Sequence, residues 1–212
     1  DDSQLNVIKD DYDQKELQTA LKEAEIQKAI PEVYEALVPK ENRKNFPTLV
    51  YVPSVQLAYA TTLELLQKLG DKGVTVRCWT GESMSSEQIK RDMTDFNDGK
   101  VDILVLCEMG GRGINLPRAR CLIDAYPTLS STKLEQRHGR VLRQIRAQSD
   151  LSQQGFKKMF ALVAQIIPRS NRYRPYLLPD LLDCWPDFKE GRILGLQNLH
   201  GGFHGGDVGS PI

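Results

Sequence analysis

This 212-residue sequence has no excess of charge of either sign, because Lys and Arg number 28 and Asp and Glu also number 28. A polyanionic partner would therefore be attracted by local clusters of charge and not by the chain as a whole. The sequence also has no signal peptide and no apolar run long enough to span a bilayer. We accordingly expect a cytoplasmic protein that has no membrane partner.

Patterns typical of disulfide frameworks and metal sites are scarce as well. The four cysteines are scattered without a C-x-x-C pair, and three of them lie in or beside apolar segments, so we expect reduced, buried thiols. His200 and His204 are four residues apart, but the glycines around them disfavour the helix that would align them. We therefore predict no metal site and interpret the histidine segment as a solvated tail.

The parts needed for phosphoryl transfer are absent too. The chain contains neither a G-x-x-x-x-G-K-[ST] loop nor an Asp-Glu-Ala-Asp or Asp-Glu-Ala-His tetrad. Hydrolysis of a nucleoside triphosphate needs a glycine loop and a lysine around the phosphates, and carboxylates for Mg²⁺ and for the attacking water. We therefore expect this chain not to hydrolyse ATP by itself.

The most informative segment that is present is an arginine-rich run at residues 136–143, Q-R-H-G-R-V-L-R. On a helix, Gln136, Arg140 and Arg143 share one face because they are four and then three residues apart. Two planar guanidinium groups on one face suit a multiply charged phosphate target. Gly139 would let a bulky group approach the helix backbone. For the run taken alone, a solvated basic helix is an equally good interpretation.

A glycine-rich loop and a second apolar segment come before this run. Residues 101–107 are nearly all apolar, as in a strand buried on both faces of a parallel sheet, and the loop of residues 108–117 follows them. Residues 121–125 form another apolar segment. Open α/β sheets bind ligands beyond the carboxyl ends of their strands, so we expect the loop and the arginine-rich run at one edge of a sheet.

This order of segments resembles the second RecA-like domain of superfamily-two helicases of the DEAD/DEAH type. Residues 136–143 match the family pattern Q-R-x-G-R-x-x-R, motif VI, and residues 107–115 resemble motif V, usually written T-D-x-x-x-R-G-I-D. Residues 49–54 resemble motif IV, an apolar strand that ends in a small hydroxyl residue. Residues 79–99 resemble the H-G-(D/E)…F-x-x-G segment. The match runs in order and with the usual spacing, which makes it more specific than a single motif.

The resemblance implies an α/β fold, a doubly wound parallel sheet with flanking helices. Apolar segments predict strands at residues 48–52, 74–79, 103–107, 121–125 and 159–164. Helices are predicted at residues 55–69, 85–97 and 132–143, with Ser85 and Ser86 offering a cap for the second helix and Gly70 and Gly99 at positions where helices should end. Residues 14–38 are also predicted to be helical, with a break at Pro31, and residues 40–47 to form a polar connector.

Three regions are expected from this pattern. Residues 1–47 would be a helical lead-in and connector, residues 48–167 the RecA-like helicase domain, and residues 168–212 an extension with a glycine-rich, mobile end. Arginines and tyrosines alternate over residues 169–176 and could grip a nucleic acid backbone, although packing on the core is the favoured alternative.

On the nucleotide side, the resemblance assigns roles to five residues. Arg140 and Arg143 match the arginine fingers that meet the γ-phosphate and are the implied catalytic residues. Gln136, Gly113 and Asn115 match cofactor-binding positions, with Asn115 in place of the family's usual aspartate near the ribose. ATP and Mg²⁺ would be held mainly by a first RecA-like domain that precedes Asp1 in a longer protein.

On the nucleic acid side, Ser54, Gly81 and Cys107 match positions that touch the backbone of the bound strand. Because a thiol is a weak hydrogen-bond donor, a core or backbone-mediated role for Cys107 is an equal alternative. Arg137 is expected to tie its helix to neighbouring elements, and His138 to occupy a packing position.

The function implied is that of the carboxyl-terminal motor domain of an ATP-dependent nucleic acid helicase or translocase. Glutamine at the start of motif VI, where RNA-directed DEAD-box proteins commonly have histidine, favours DNA and a DNA-repair motor to a modest degree. The main alternative is a non-catalytic RecA-like module that binds nucleic acid or protein. A small-molecule α/β enzyme is a weaker alternative, because no nucleophile–base pair or acidic dyad can be placed.

Overall fold

The structure is a computed structural model that describes residues 5–38, 40–80, 85–107, 115–142, 161–167 and 173–182. Its strands, in chain order, are β1 (Val7–Ile8), β2 (Asp11–Tyr12), β3 (Thr48–Val52), β4 (Val76–Thr80), β5 (Ile103–Cys107), β6 (Cys121–Asp124) and β7 (Leu162–Gln165). β1 and β2 form an antiparallel hairpin, and the other five strands form a parallel sheet in the order β4-β5-β3-β6-β7. The chain winds outwards in both directions from the central strand β3, so the predicted fold class is confirmed.

Helices cover both faces of this sheet. In chain order they are α1 (Gln14–Glu23), α2 (Ile26–Leu37), α3 (Val55–Leu69), α4 (Ser86–Asn97), α5 (Ser131–Leu142) and the short α6 (Leu178–Leu182). The first three pack on one face, where Leu17, Tyr34 and Leu65 share a core with Val50. On the opposite face, side chains of α4 and α5 pack around Leu104. Because both faces are covered, every residue of β3 and β5 is buried.

Serine caps set the start of two helices, and the cap at Ser85 is the one that the sequence predicts. Ser54 Oγ accepts a hydrogen bond from the Leu57 amide at 3.2 Å at the start of α3. Ser85 Oγ accepts from the Gln88 amide at 3.1 Å at the start of α4. Each serine thereby satisfies one of the backbone donors that a helix leaves open at its first turn.

The predicted break at Pro31 is wrong. The chain breaks at Ala24 and Glu25, where Glu25 has a left-handed backbone with φ of 50°, and Pro31 lies inside α2. A proline within a helix removes one hydrogen bond and crowds the preceding turn. Here Ile30 and Tyr34, both at 0% exposure, bury their side chains on either side of it and hold the helix together.

Several other strand and helix boundaries differ from the predictions by one to three residues, and two of the differences have a clear structural cause. β4 begins at Val76 and not at Val74, because the Thr75 amide donates to Asp102 Oδ2 at 2.8 Å and its carbonyl accepts from the Asp102 amide at 3.0 Å. In place of a simple polar connector, the segment Lys40–Asn45 forms a 3₁₀ helix. Its Arg43 is buried and its Nη2 contacts Glu35 Oε1 at 3.1 Å.

A glycine joins the end of α4 to the segment before β6. Gly99 has φ of +78°, and the guanidinium of Arg118 occupies the space where a Cβ would lie. Arg118 Nη1 donates to the Asn97 carbonyl at 3.2 Å. The left-handed backbone favours glycine at this position, whereas a Cβ would meet only the end of the flexible Arg118 side chain.

Within the described ranges, no helix is long and apolar enough to cross a membrane. The same ranges contain no group of three or more His, Cys, Asp or Glu side chains placed to hold a metal ion. Cys107 and Cys121 are buried and Cys78 is half-buried, and burial raises the pKa of the Cys121 thiol to about 12. His200, His204 and Cys184 lie outside the described residues.

Candidate functional site

Four parallel strands end together at one edge of the sheet. Thr80 of β4 and Val52 of β3 both pair with Cys107, the last residue of β5, and Tyr51 pairs with Asp124, the last residue of β6. The segment that resembles motif IV ends just after β3, the one that resembles motif V begins at the last residue of β5, and the one that resembles motif VI comes after β6. The ladder therefore brings Ser54, Cys107 and the chain after β6 to the carboxyl edge of the sheet, where α/β folds bind ligands.

One face of α5 lies on the sheet. Its buried residues are Leu134, Arg137, His138 and Val141, at the i, i+3, i+4 and i+7 positions typical of a packed helix face. Arg137 is 9% exposed and His138 is 0% exposed. Polar side chains that are this deeply buried need hydrogen-bonding partners.

Asp124 is the common partner of both residues. It is 3% exposed, and its Oδ1 accepts from Arg137 Nη1 at 2.9 Å while its Oδ2 lies 3.0 Å from His138 Nε2. Arg137 also donates to the Tyr126 carbonyl, and its guanidinium stacks 4.8 Å from the centre of the Tyr126 ring. These contacts fix the rotation of α5 relative to β6. They confirm that Arg137 ties the helix to its neighbours and that His138 packs inside.

The opposite face of α5 carries Gln136, Gly139 and Arg140. Gln136 is exposed and Arg140 is half-buried. A Cβ added at Gly139 would meet nothing within 4 Å in the described part of the chain, so the helix backbone is open to a group from outside. Burial raises the pKa of Tyr51 to about 12, and the nearby Arg140 charge opposes part of that rise. Arg140 therefore lies close to the end of the central strand β3.

Of the three remaining nucleotide-side residues, the structure describes only Asn115. Asn115 is exposed, and its backbone carbonyl accepts a hydrogen bond from Asn97 Nδ2 at 3.4 Å, which links the segment to the end of α4. Gly113 and Arg143 lie outside the described residues. The structure thus places Arg140 near the end of β3, with Gln136 on the same face of α5. It does not bring Asn115 to them, because Asn97 ends the helix that runs from the end of β4 back to the start of β5.

On the nucleic acid side, Ser54 and Cys107 differ in accessibility. Ser54 is partly exposed at the first turn of α3, where its hydroxyl oxygen caps the helix and its hydroxyl hydrogen remains available to a further acceptor. Cys107 is 0% exposed and its side chain belongs to the core. Any contact between a bound strand and Cys107 would therefore involve its backbone. Gly81 lies outside the described residues.

The loop between β6 and α5 is held by a buried carboxylate from the amino-terminal hairpin. Asp11 is 6% exposed. Its Oδ2 accepts from Thr128 Oγ1 at 2.9 Å and from Lys133 Nζ at 2.7 Å, and its Oδ1 accepts from the Leu129 amide at 2.8 Å. One side chain therefore satisfies three donors in the loop and in the first turn of α5.

Neighbouring residues extend this attachment. The Tyr126 hydroxyl donates to the side-chain oxygen of Gln14, and the Tyr12 hydroxyl donates to the Tyr173 carbonyl at 2.8 Å. We call Asp11, Tyr12 and Gln14 the amino-terminal clasp. The clasp joins the start of the described chain to the loop before α5 and to the carboxyl-terminal segment.

The described part of the arginine- and tyrosine-rich segment packs against the domain. The Tyr176 amide donates to the Thr128 carbonyl at 2.9 Å, and Arg174 Nη2 contacts Asp180 Oδ1 at 2.8 Å. These contacts agree with the favoured alternative of packing on the core. Arg169 and Arg172 lie outside the described residues.

Comparison with known families bears directly on this arrangement. The model of the Helicase conserved C-terminal domain family matches residues 27–144, which is more than half of the chain. The chain belongs to this family. The matched range runs from α2 to the end of α5 and so includes Ser54, Asp124 and the outward face of α5. The interpretation as the carboxyl-terminal domain of a superfamily-two helicase is confirmed.

The individual relatives and solved structures share less than 30% of their aligned residues with this chain. The ATP-dependent RNA helicase ddx19 of Dictyostelium discoideum is 29% identical over 77 residues, which are 36% of this chain and only 16% of that protein. Domain 2 of the DEAD-box helicase Mss116p bound to an RNA duplex matches at 16% identity and a TM-score of 0.45, over 72% of this chain and 50% of that one. The Pyrococcus furiosus Hef helicase domain matches at 18% identity and a TM-score of 0.48, over 73% and 29% of the two chains.

Sequence reasoning did not identify the two carboxylates that position this helicase domain's motif VI helix. Asp124 is the only charged residue in the apolar segment 121–125, and a single charge in a buried strand requires a partner. That feature could have predicted an anchor for Arg137. Asp11 gave no comparable indication, because it lies among other acidic residues in a polar segment.

The clasp leads to a prediction about pH. Burial raises the pKa of Asp11, but hydrogen bonds from Lys133, Leu129 and Thr128 outweigh it, so the pKa in the folded domain lies below the usual 3.8. Stability from Asp11 is therefore fully present above the unfolded-state pKa and lost as the pH falls through the folded one. We expect Asp11→Asn to be clearly less stable than wild type at neutral pH, and the difference to shrink below about pH 4. Urea unfolding of both proteins at several pH values would measure it, and a difference that stays constant with pH would contradict this account.

Proposed function

We propose that this chain is the carboxyl-terminal motor domain of an ATP-dependent nucleic acid helicase or translocase. In this proposal, Arg140 and Arg143 act as arginine fingers on ATP that a first RecA-like domain holds. The observation that supports it is the two-sided construction of α5. Arg137 and His138 fix one face of the helix to Asp124, while the other face presents Gln136 and Arg140.

A rigid helix with an outward arginine suits the chemistry of phosphoryl transfer. A finger must be held in position before charge develops on the transferring phosphate, since reorganisation would reduce the benefit. Gln136 and Arg140 offer hydrogen-bond donors to phosphate oxygens but no carboxylate for a metal ion. Mg²⁺ and the activation of water are therefore assigned to the first domain, and the isolated chain is expected to be inactive. Gly113 would line the ribose side of the same nucleotide, whereas the contact of Asn115 with the end of α4 does not favour that role for Asn115.

The nucleic acid would cross the carboxyl edge at Ser54, whose free hydroxyl hydrogen can donate to a backbone phosphate. The modest sequence-based preference for DNA finds no support in the comparisons, and nor does a role in DNA repair. The curated relative that matches carries the name of an RNA helicase. We therefore favour RNA as the substrate.

The open surface at Gly139 provides a direct test of the function. In the full-length protein, Gly139→Ala should lower RNA-stimulated ATP turnover about 5- to 30-fold, because the methyl group projects into the space that the nucleotide approaches. The same change should leave the domain as stable or up to about 1 kcal/mol more stable, because alanine favours a helix over glycine. Steady-state ATPase assays and thermal melts on one preparation would measure both.

Gln67→Ala is the control, because Gln67 is exposed in the last turn of α3, at the end of that helix that lies away from the carboxyl edge. The control should retain wild-type turnover. If Gly139→Ala also retains it, the outward face of α5 meets solvent and not nucleotide. The non-catalytic binding module would then be the better description of this domain.

A further inference from the structure

An open groove of about 390 Å³ lies between α1 and the beginning of α3, outside the nucleotide-side surface. From α1 it is lined by Lys15, Gln18, Thr19 and Lys22, which share one helix face because they lie at i, i+3, i+4 and i+7. The rest of the lining comes from the start of α2 and the first turns of α3, namely Gln27, Ser54, Gln56, Leu57 and Ala60.

The lining is cationic, with two lysines and no acidic residue. Lys15 and Lys22 are exposed, and neither forms an ion pair with any residue in the described ranges. Other lysines in the same helical layer differ, because Lys68 and Lys72 contact glutamates at 3.2 and 2.6 Å. In a chain of zero net charge, the groove is therefore a local site of unbalanced positive charge, which favours an anionic occupant.

The groove is continuous with the predicted nucleic acid contact. Gln18 Nε2 donates to the Pro53 carbonyl at 3.2 Å, which fixes α1 beside Ser54. Ser54 is itself part of the groove wall. The side-chain oxygen of Gln27 is buried and has no hydrogen-bond donor in the described part of the chain. This oxygen is an acceptor, so it suits an occupant that carries a hydrogen-bond donor, such as the 2′-hydroxyl of a ribose, and not an apolar occupant.

We propose that this groove binds the sugar-phosphate backbone of single-stranded RNA, on the nucleotides next to those at Ser54. Lys15 and Lys22 each contact a phosphate. Their positions are separated by about 10 Å along the helix axis, while phosphates follow one another every 3.4 Å or so along the axis of a regular strand, so the two lysines reach different phosphates. Such contacts add affinity without reading bases. This proposal rests on the proposed function, and α1 lengthens the nucleic acid path of the domain.

The test compares two double variants of the chain that remove the same amount of charge. Lys15→Gln with Lys22→Gln changes the groove, and Lys9→Gln with Lys40→Gln changes exposed lysines elsewhere. The probe is a labelled oligouridylate of about 12 nucleotides, titrated at several salt concentrations. Loss of two phosphate contacts should reduce the slope of log affinity against log salt by about 1.4 and the affinity at low salt by about tenfold. The control variant should keep the wild-type slope.

Each outcome decides a separate question. If wild type binds the oligouridylate and the groove variant binds it with an unchanged slope, the groove proposal is overturned while the proposed function stands. If wild type does not bind RNA at all, the nucleic acid part of the proposed function fails with it. A labelled oligoglutamate peptide provides the remaining comparison. If the peptide binds through Lys15 and Lys22 and the RNA does not, the groove takes an acidic protein segment and the proposal is wrong.

Discussion

Replacement of Arg140 by alanine in the full-length protein is expected to lower ATP turnover by about 10³-fold or more, the range typical of arginine fingers. That loss corresponds to about 4 kcal/mol of activation free energy. Nucleotide affinity should change much less, because a finger acts mainly on charge that develops in the transition state. Arg140→Lys should rescue turnover poorly, since an ammonium group cannot reproduce a planar two-pronged contact. Steady-state ATPase and nucleotide-binding assays on the same preparation would measure these effects.

RNA binding in the absence of nucleotide separates the two roles that an arginine at this edge can have, which are action on ATP and contact with the nucleic acid backbone. It should persist in the Arg140→Ala variant, because the outward face of α5 follows β6 whereas Ser54 follows β3. Glu135→Ala serves as the control on the same helix, because Glu135 is five residues from Arg140 and so lies on a different face. Unchanged turnover together with a collapse of RNA binding would show that Arg140 contacts the nucleic acid backbone, and the proposed mechanism would be wrong.

Removal of the Asp124 carboxylate is expected to have the largest effect on stability. Asp124→Ala leaves the Arg137 guanidinium buried without a counter-charge and His138 Nε2 without its partner. Removing one partner of a buried ion pair costs about 3–5 kcal/mol, which corresponds to a fall of roughly 6–20 °C in melting temperature for a domain of this size. Urea and thermal unfolding of the variant and wild type would measure the loss.

Two further variants define what the carboxylate contributes. Asp71→Ala removes an exposed carboxylate and should change stability by no more than about 0.5 kcal/mol. Asp124→Asn keeps an acceptor oxygen but not the charge, so its loss of stability should lie between those of Asp71→Ala and Asp124→Ala. An Asp124→Ala protein within about 1 kcal/mol of wild type would contradict the anchoring role.

Much of the fold follows from local patterns, because the central strands β3 and β5 are buried and nearly all apolar and because α3 and α4 begin at serine caps. The pattern predicts the sheet well, and the error at the start of β4 arises from a contact distant in sequence. Thr75 uses its backbone groups on Asp102, 27 residues later, and this pairing delays the regular ladder until Val76. Similarly, Pro31 is accommodated in α2 through tertiary burial, which overrides its local preference.

For the site, spacing predicts which residues of α5 share a face but not what fixes that face in place. The sequence indicates that Gln136 and Arg140 lie together, since four residues bring side chains onto one side of a helix. It does not pair Arg137 and His138 with Asp124, because that contact depends on how the helix docks beside β6. The groove beside Ser54 is equally hidden, as it exists only where α1 and α3 meet.

The amino-terminal clasp also has a mechanical consequence. Asp11 is bonded both to the loop at Thr128 and Leu129 and to Lys133 in the first turn of α5. A pull on the chain before Asp11 therefore loads the short β1–β2 hairpin and, through Asp11, the helix that carries Arg140, while the hydrogen bonds between the strands of the parallel sheet remain unloaded. Tension at the start of the domain would tilt or shift α5 before it separated any strand of the parallel sheet. Within the main body of the domain, strain from the amino-terminal hairpin is thus felt first by the helix of Arg140.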